Sequence, residues 1–522
     1  MLELNLPRRF NAAEYFIDRN LHEGRGDKIA VLHEESAYTY RELAENVNRC
    51  SNMFSGLGLG MEDRVILILR DTPEMIFSFY GAIKMGAIPI PTNILMKAPD
   101  FLYVLNDSRA PILVVDPLFL PEIEKIIDQA RFLKTIIVAG EHDGKYPEFH
   151  DLLNTSDATF EAAETTPDDA AFWLYSGRNP EMLMGAVHHH SHMVYCSKAY
   201  AQGILKMTES DRVMGSFLFF AYGLGNGAYF PFYFGATSIL FSHPPRPELV
   251  YKDLVRHQPT LFFTVPTLLG SLADYKKSAH NNNETLPPVK NLRACISSAE
   301  FLSPEIYRRF KEEFQVEILD GTGSTEICHI FLSNRFDEIR EGSTGKIVPG
   351  YEARLLDDDG SPASPGSIGN LLIRGGSICS AYWNRRAETK KNMLGEWFVT
   401  GDRYLVDSEG FYFFRGRSDD MLRVGGKWLS PMEVEHAINS HPAVSESAVV
   451  GRMDKDNLVK PYAFVVLIPK IHPGEELKIE IQEFVKSRIA VYKYPRWIEF
   501  VATIPKTAGG KIERFKLQDR VH

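Results

Sequence analysis

The chain has 522 residues, 44% of them hydrophobic and 24% charged, and its 68 acidic and 58 basic side chains give a net charge of -10. At roughly 100–200 residues per domain this length calls for two or more domains, and the composition is that of a globular protein with ample core. The acidic balance excludes nucleic acid as the main partner, because phosphate-backbone binding needs clustered Lys and Arg.

From Arg64 the pattern alternates. Val65–Leu69 is a continuous apolar run that reads as a buried strand, Glu74–Lys84 has helical spacing, and Ile88–Pro91 is a second strand. Asp100–Leu105 reads as helix, Ile112–Val115 as strand, Pro121–Ala130 as helix, and Thr135–Val138 and Ala171–Tyr175 as strands. Such alternation implies parallel sheets covered by helices. The most apolar stretch, Ala228–Phe241, is too short for a membrane span of about 20 residues. It contains Pro231 and reads as buried core. After Pro349 the turn signals at Asp357–Gly360, Pro362, Pro365 and Gly366 mark a β-rich subdomain. A further change at Gly416–Asp420 places a boundary, giving domains 1–417 and 418–522. Beyond it the pattern predicts strands at Glu446–Val450, Ala463–Leu467 and Trp497–Val501 and a helix at Leu477–Ile489. The fold class expected is α/β, with a small α+β C-terminal domain.

Met1–Phe16 mixes charges without an apolar run, so no secretory leader is expected. Five cysteines (Cys50, Cys196, Cys295, Cys328, Cys379) show no Cys-x-x-Cys spacing, which suits a reducing compartment. A cytoplasmic protein without a membrane partner follows as the expectation.

Several local patterns fall short of a motif. Gly345-Lys346 is followed by Ile347, not Ser or Thr, so it is no phosphate-binding P-loop. Gly223-Leu224-Gly225-Asn226-Gly227 lacks dinucleotide-binding spacing. The run His188-His189-His190-Ser191-His192 has no carboxylate or Cys cluster beside it and reads as a solvated loop or helix start rather than a metal site.

A second set is spread over the whole chain. Asp320-Gly321-Thr322-Gly323-Ser324-Thr325-Glu326 is a Gly-rich turn with hydroxyls for phosphate and a carboxylate for Mg²⁺. Thr400-Gly401-Asp402 offers a carboxylate to ribose hydroxyls. Gly416-Arg417-Ser418-Asp419-Asp420 offers a guanidinium. Gly425-Gly426-Lys427-Trp428-Leu429-Ser430-Pro431 and Pro505-Lys506-Thr507-Ala508-Gly509-Gly510-Lys511 complete the series.

In this order the motifs resemble the acyl-adenylate-forming (AMP-binding) synthetases over nearly the entire chain. Phe219–Asn226 and Ser324–Phe331 are most similar to benzoate- and 2-aminobenzoate (anthranilate)-CoA ligases. The resemblance implies a mobile C-terminal domain that swings about Asp419. One pose brings Lys511 to the acyl phosphate as the catalytic lysine. The other brings Gly425, Gly426, Lys427 and Trp428 to a pantetheine tunnel. It also implies that Glu326 and His329 are catalytic, with Glu326 the Mg²⁺ ligand. Thr325, Asp320, Ser298 and Glu300 would bind nucleotide, with Asp402 and Arg417 on the ribose. Ala221, Tyr222, Gly321, Gly323, His329 and Ile330 would enclose a planar aromatic acid, the glycines leaving a slot.

One segment departs from the family. After the strand Phe172–Tyr175 the family carries a Ser/Thr/Gly-rich loop ending Lys-Gly that holds the outer phosphates of ATP. This chain reads Tyr175-Ser176-Gly177-Arg178-Asn179-Pro180-Glu181-Met182-Leu183-Met184-Gly185. Met184 stands at the Lys position, Pro180 removes a donor, and Glu181 brings negative charge toward a polyphosphate. Each donor lost to a charged oxygen costs roughly 1.5–3 kcal/mol. The expectation is therefore an aroyl-CoA to acyl-carrier-protein acyltransferase that uses AMP as its working nucleotide. The alternatives are an ATP-, CoA- and Mg²⁺-dependent aryl-CoA ligase, and an inactive binding protein for aromatic acids or thioesters. A covalent route through Cys328, beside His329, is a lesser variant. The resemblance leaves monomer and homodimer both open.

Overall fold

Arg64 does open a run of strand–helix alternation in the computed structural model of the chain. The structure describes residues 2–177, 183–215, 217–364, 366–418, 420–424, 427–455, 458–506 and 512–521, with backbone alone at 423, 427 and 428. It has two compact units: Met1–Ala353 with Ile373–Phe398, and Arg354–Leu372 with Val399–His522.

The first unit carries β1 (Ile29–His33), β2 (Ser36–Thr39), β3 (Arg64–Ile68), β4 (Ile88–Pro91), β5 (Ile112–Val115) and β6 (Thr135–Val138). Then come β7 (Ala170–Ser176), β8 (Met184–His189), β9 (Arg212–Met214), β10 (Thr237–Leu240) and β11 (Leu261–Thr264). β12 (Ala294–Ser297), β13 (Ile318–Gly323), β14 (Ile330–Ser333) and β15 (Lys346–Ile347) follow. β4-β3-β5-β6 form one parallel sheet, with Ile66 opposite both Ile90 and Leu113. Val65 to Ile68 are all buried, as befits strands covered on both faces.

A larger sheet runs β15-β14-β13-β12-β11-β9-β10-β1-β2. Its centre, from β10 through β13, is parallel. At the C-terminal ends of three adjacent strands, Thr264 lies opposite Ser297 and Ser297 opposite Asp320. Ligands of open α/β sheets bind outside these strand ends. β7 and β8 form a separate antiparallel pair.

One expectation needs correction. Pro121–Ala130 is not one helix but the helix Leu120–Glu124 and a 3-10 turn Ile127–Gln129. The chain leaves helical geometry at Ile126, so that Ile123 and Ile126 both reach the core. By compactness the chain groups in a way that no single cut describes. Residues 354–372 and 399–417 group with the C-terminal part because they bond to one another. Thr400 Oγ1 donates to the Leu371 carbonyl at 2.9 Å, and Ser418 Oγ to Asn370 Oδ1 at 3.0 Å.

In the second unit Val444–Met453 and Val459–Leu467 pair antiparallel, and Trp497–Phe500 joins the latter in parallel. The helices Pro431–Asn439 and Glu475–Lys486 pack Val434, Ile438, Ile481 and Val485 against that sheet's Val449 and Val465. The helix Pro431–Asn439 is not among the expected elements, though Ser430 ahead of Pro431 and Glu433 signals it. The Ser430 side chain accepts the Glu433 N–H, an N-cap. Among the described residues no helix is long and apolar enough to cross a membrane. All five cysteines are free and buried.

Candidate active site

The Gly-rich motif is a strand followed by a tight turn. β13 ends at Gly323, Ser324 caps a 3-10 turn over Thr325–Ile327 through the Ile327 N–H, and Cys328 takes a left-handed backbone (φ 71). Four successive carbonyls of this turn each meet a donor, supplied by three separate parts of the fold. His188 Nε2 meets Thr325 O at 2.8 Å and the Cys379 N–H meets Glu326 O at 2.7 Å. Ser377 Oγ meets Ile327 O at 2.8 Å and the Tyr229 hydroxyl meets Cys328 O at 3.3 Å. The Glu326 carboxylate is buried, and its Oε1 accepts the Tyr382 hydroxyl at 3.0 Å. Among the described residues no group of three or more His, Cys, Asp or Glu could hold a metal. A lone carboxylate is nevertheless the usual protein share of a Mg²⁺ site completed by substrate phosphates and water. Glu326 fits that role.

Beside the turn lies a cluster of buried rings. Ala221–Leu224 is α-helical, Gly225–Tyr229 is a π-helical turn, and Phe230–Phe234 returns to α. Such π segments are frequent at functional sites. The entry to this helix is set by Asp71, whose buried carboxylate accepts the Phe217 N–H at 2.5 Å and the Leu218 N–H at 2.8 Å. Burial pushes the Asp71 carboxyl up to about 6 even though both N–H groups favour its ionised form. Tyr222 stacks on His329 with ring centres 5.7 Å apart, and its hydroxyl donates to Ile296 O at 2.9 Å. Tyr200 and Phe230 cover other faces of the His329 ring. His329 Nε2 meets Asn226 Oδ1 at 3.0 Å. Burial takes His329 down to about 3, which keeps the ring neutral at pH 7. A Cβ on Gly225 would come within 2.4 Å of that ring, which explains the glycine at this position.

The glycines of β13 have a different first role from the expected slot. A Cβ at Gly321 would lie 2.7 Å from the Leu332 carbonyl, and one at Gly323 2.5 Å from the His329 carbonyl. Both glycines let β14 approach. Ala221 and Ile330 are buried.

On the expected nucleotide side, Ser298 is buried, and the Glu300 carboxylate is already engaged. It accepts the Thr267 hydroxyl at 2.7 Å and the Thr267 N–H at 3.2 Å, capping the helix Pro266–Asn281. Burial drives the Asp320 carboxyl well above the usual range, against a smaller opposite pull from the Ser297 hydroxyl. Among the described residues, Thr264 Oγ1, Ser297 Oγ, Asp320 Oδ1, the Tyr200 hydroxyl, Asn226 Nδ2 and His329 Nδ1 are buried without a partner in hydrogen-bond geometry. In the second unit Arg417 Nη1 bridges Asp402 Oδ1 and Thr400 O, each at 2.9 Å. The pair is partly exposed.

The histidine run holds a helix start, at His190, as one of its two readings had it, but it is not solvated. His188, His190 and His192 are buried at the junction of β8 and the helix His190–Cys196. The sequence could not show this, since a strand end and a helix start carry no common periodicity. Cys328 is also a poor nucleophile: its thiol is buried and pushed up by that burial, and the His329 ring is bonded to Asn226. Lys511, Asp419, Gly425, Gly426 and residues 178–182 lie outside the described residues, as do the side chains of Lys427 and Trp428. Sequence reasoning missed His188, Tyr200, Asn226, Tyr382 and Asp71. Only Asn226 carried a signal, lying within the aryl-ligase-like stretch.

The chain matches the AMP-binding enzyme model over residues 18–383 and the AMP-binding enzyme C-terminal domain over 433–511. It belongs to the AMP-binding enzyme family. Among AMP-binding enzymes it is 45% identical over 518 residues to the benzoate–CoA ligase of Thauera aromatica, covering 99% of this chain and 97% of that one. It is 39% identical to the 4-hydroxybenzoate–CoA/benzoate–CoA ligase of Rhodopseudomonas palustris, covering 98% and 94%. Its fold is similar to that of the anthranilate CoA ligase AuaEII in complex with anthranoyl-AMP, with TM-score 0.92, 38% identity and coverage of 99% and 98%. The benzoate CoA ligase of Burkholderia xenovorans LB400 superposes with TM-score 0.87 at 40% identity, covering 97% and 99%. The α/β fold with a large N-terminal and a small C-terminal domain is thus that of adenylate-forming enzymes. The chain is benzoate/anthranilate-CoA ligase-like.

Proposed function

We propose that this AMP-binding enzyme handles an aromatic acyl group as its acyl-adenylate and its CoA thioester. The observation that carries the reading is the anchored Thr325–Glu326 turn, standing directly before the ring cluster of Tyr222 and His329. In this reading Thr325 and Glu326 meet the α-phosphate, Glu326 with Mg²⁺. Ser298, Glu300 and Asp320 border the nucleotide, with Glu300 contributing backbone because its carboxylate caps a helix. Asp402 and Arg417 hold the ribose, and Ala221, Tyr222, Gly321, Gly323, His329 and Ile330 border the ring. Lys511 meets the acyl phosphate, and Gly425–Trp428 line the thiol path. Domains 1–417 and 418–522 move about Asp419.

The relatives favour ATP-dependent aryl-CoA ligation. An aromatic carboxylate attacks the α-phosphate of ATP, pyrophosphate leaves, and CoA thiolate then displaces AMP. A second reading is favoured by one specific observation, the sequence of Arg178–Met184, where Met184 replaces the family's Lys, Pro180 removes a donor and Glu181 adds negative charge, with Arg178 compensating only in part. There, AMP attacks the carbonyl of an aroyl-CoA, CoA leaves, and the thiol of a carrier-protein phosphopantetheine displaces AMP. Neither step involves a β- or γ-phosphate.

One experiment separates them. Purified protein is given benzoate or 2-aminobenzoate with ATP, Mg²⁺ and CoA, then aroyl-CoA with a holo carrier protein, with and without AMP. Pyrophosphate release with thioester formation establishes the ligase. AMP-dependent acyl-carrier formation without ATP establishes the transferase. Failure of both refutes the catalytic proposal in favour of a binding protein.

A further inference from the structure

The buried histidines of the His188–His192 run are unused by the chemistry above, yet one of them touches its central turn. His188 Nε2 lies 2.8 Å from the Thr325 carbonyl, and His188 Nδ1 lies 3.1 Å from His192 Nδ1. A carbonyl only accepts, so His188 Nε2 must carry the proton. A neutral imidazole has one N–H, so His188 Nδ1 is an acceptor and His192 Nδ1 the donor to it. The 3.4 Å approach of the His189 N–H to His192 Nδ1 is the weaker contact and gives way. Burial lowers His188 to about 3, which keeps this neutral arrangement across the working pH range. The His188 ring is also stacked on Phe172 of β7, 5.1 Å apart and 20° from parallel, so its orientation is fixed from both sides.

We propose that His188, oriented by His192, is a positioning residue that holds the Thr325–Glu326 turn in register with β8. β8 begins at Met184, the residue that stands at the Lys position of the segment whose family counterpart holds the outer phosphates of ATP. His188 is therefore the link between the strand leaving that segment and the turn that meets the α-phosphate. The inference rests on the proposed nucleotide role of Thr325 and Glu326.

The test compares His188→Phe, which keeps the stacked ring without a donor, with His188→Gln, whose amide can reach the position of Nε2. The probes are benzoyl-adenosine sulfamate binding, turnover of benzoyl-AMP with CoA, and hydrogen exchange over residues 324–329 without ligand. His188→Phe should lose about ten- to hundredfold in affinity and turnover, the scale of one unsatisfied buried carbonyl. Exchange should rise over 324–329, and His188→Gln should stay within about threefold of wild type. Wild-type behaviour of His188→Phe in exchange and turnover overturns the proposal. So does a Gln variant as damaged as Phe, which would mark plain packing. If wild-type protein binds no adenylate mimic, the functional reading fails and the catalytic part of this inference fails with it. Exchange in the Phe variant then still reports separately on the His188–Thr325 contact.

Discussion

The Thr325–Glu326 turn and the Asp402–Arg417 pair are both assigned to nucleotide, yet they are built on different physics. The turn is half-buried at Thr325 and buried from Glu326 to Cys328, neutral at its anchors, and held by donors from β8, from 377–379 and from the helical run Ala221–Phe234. The pair is a hydrogen-bonded ion pair whose Arg417 side chain is 42% exposed. An exposed pair is screened and worth about 0–1 kcal/mol. A buried polar anchor is costly to break, because its partner is left without water. One region thus fixes geometry, while the other supplies a charge that solvent can largely replace.

That contrast can be broken at several points. The largest effect is expected from Glu326→Gln. The amide oxygen can still accept from Tyr382, so the fold should survive, but the negative charge is gone. Adenylate-dependent turnover should fall by about 10²–10³-fold, the loss typical of one electrostatic stabiliser, with melting temperature nearly unchanged. A matching fall in melting temperature would reassign Glu326 to structure.

The next effect belongs to Asp71. Its folded-state value of about 6 exceeds the unfolded value of about 3.9. The folded chain therefore binds more protons between those pH values. Its contribution to stability is present below about pH 4 and lost as pH rises through about 6, amounting to about 3 kcal/mol. Denaturant titrations of wild type and Asp71→Asn across that range should differ by this slope. Parallel curves would contradict it.

Gly225→Ala should cost about 1–3 kcal/mol, the usual penalty of overpacking a filled core, because its methyl meets the His329 ring and the Tyr229 hydroxyl. Calorimetry measures the loss, and an unchanged transition would show that His329 is free to move. Asp402→Asn should be mildest: under about 1 kcal/mol in stability, with a loss of AMP affinity that shrinks as salt is raised. A salt-independent loss would mean the pair is less screened than its exposure implies.

Much of the fold was legible because parallel strands write themselves as unbroken apolar runs. Val65–Ile68 and Ile112–Val115 stand where their patterns predicted. The motif turn was legible because its residue types have few structural alternatives in that order. What stayed hidden was anchorage. Nothing local distinguishes the buried His188 from its more accessible neighbour His189, since the difference lies in Phe172 and Thr325, distant in sequence. Glu300 looked available to a ligand until Thr267 claimed its carboxylate. Gly321 and Gly323 were read by size, whereas their geometry is decided by the β14 backbone. The grouping of 354–372 with the C-terminal part joins segments that no linear boundary could unite.

The transverse alignment of Thr264, Ser297 and Asp320 has a consequence for how the large sheet assembles. Side chains alternate faces along a strand, so sliding any of these three strands by one position would turn its polar group into the opposite layer. That layer would offer oily neighbours to a hydroxyl or carboxyl stripped of water. The native register instead sets the three polar groups side by side on one layer of the sheet.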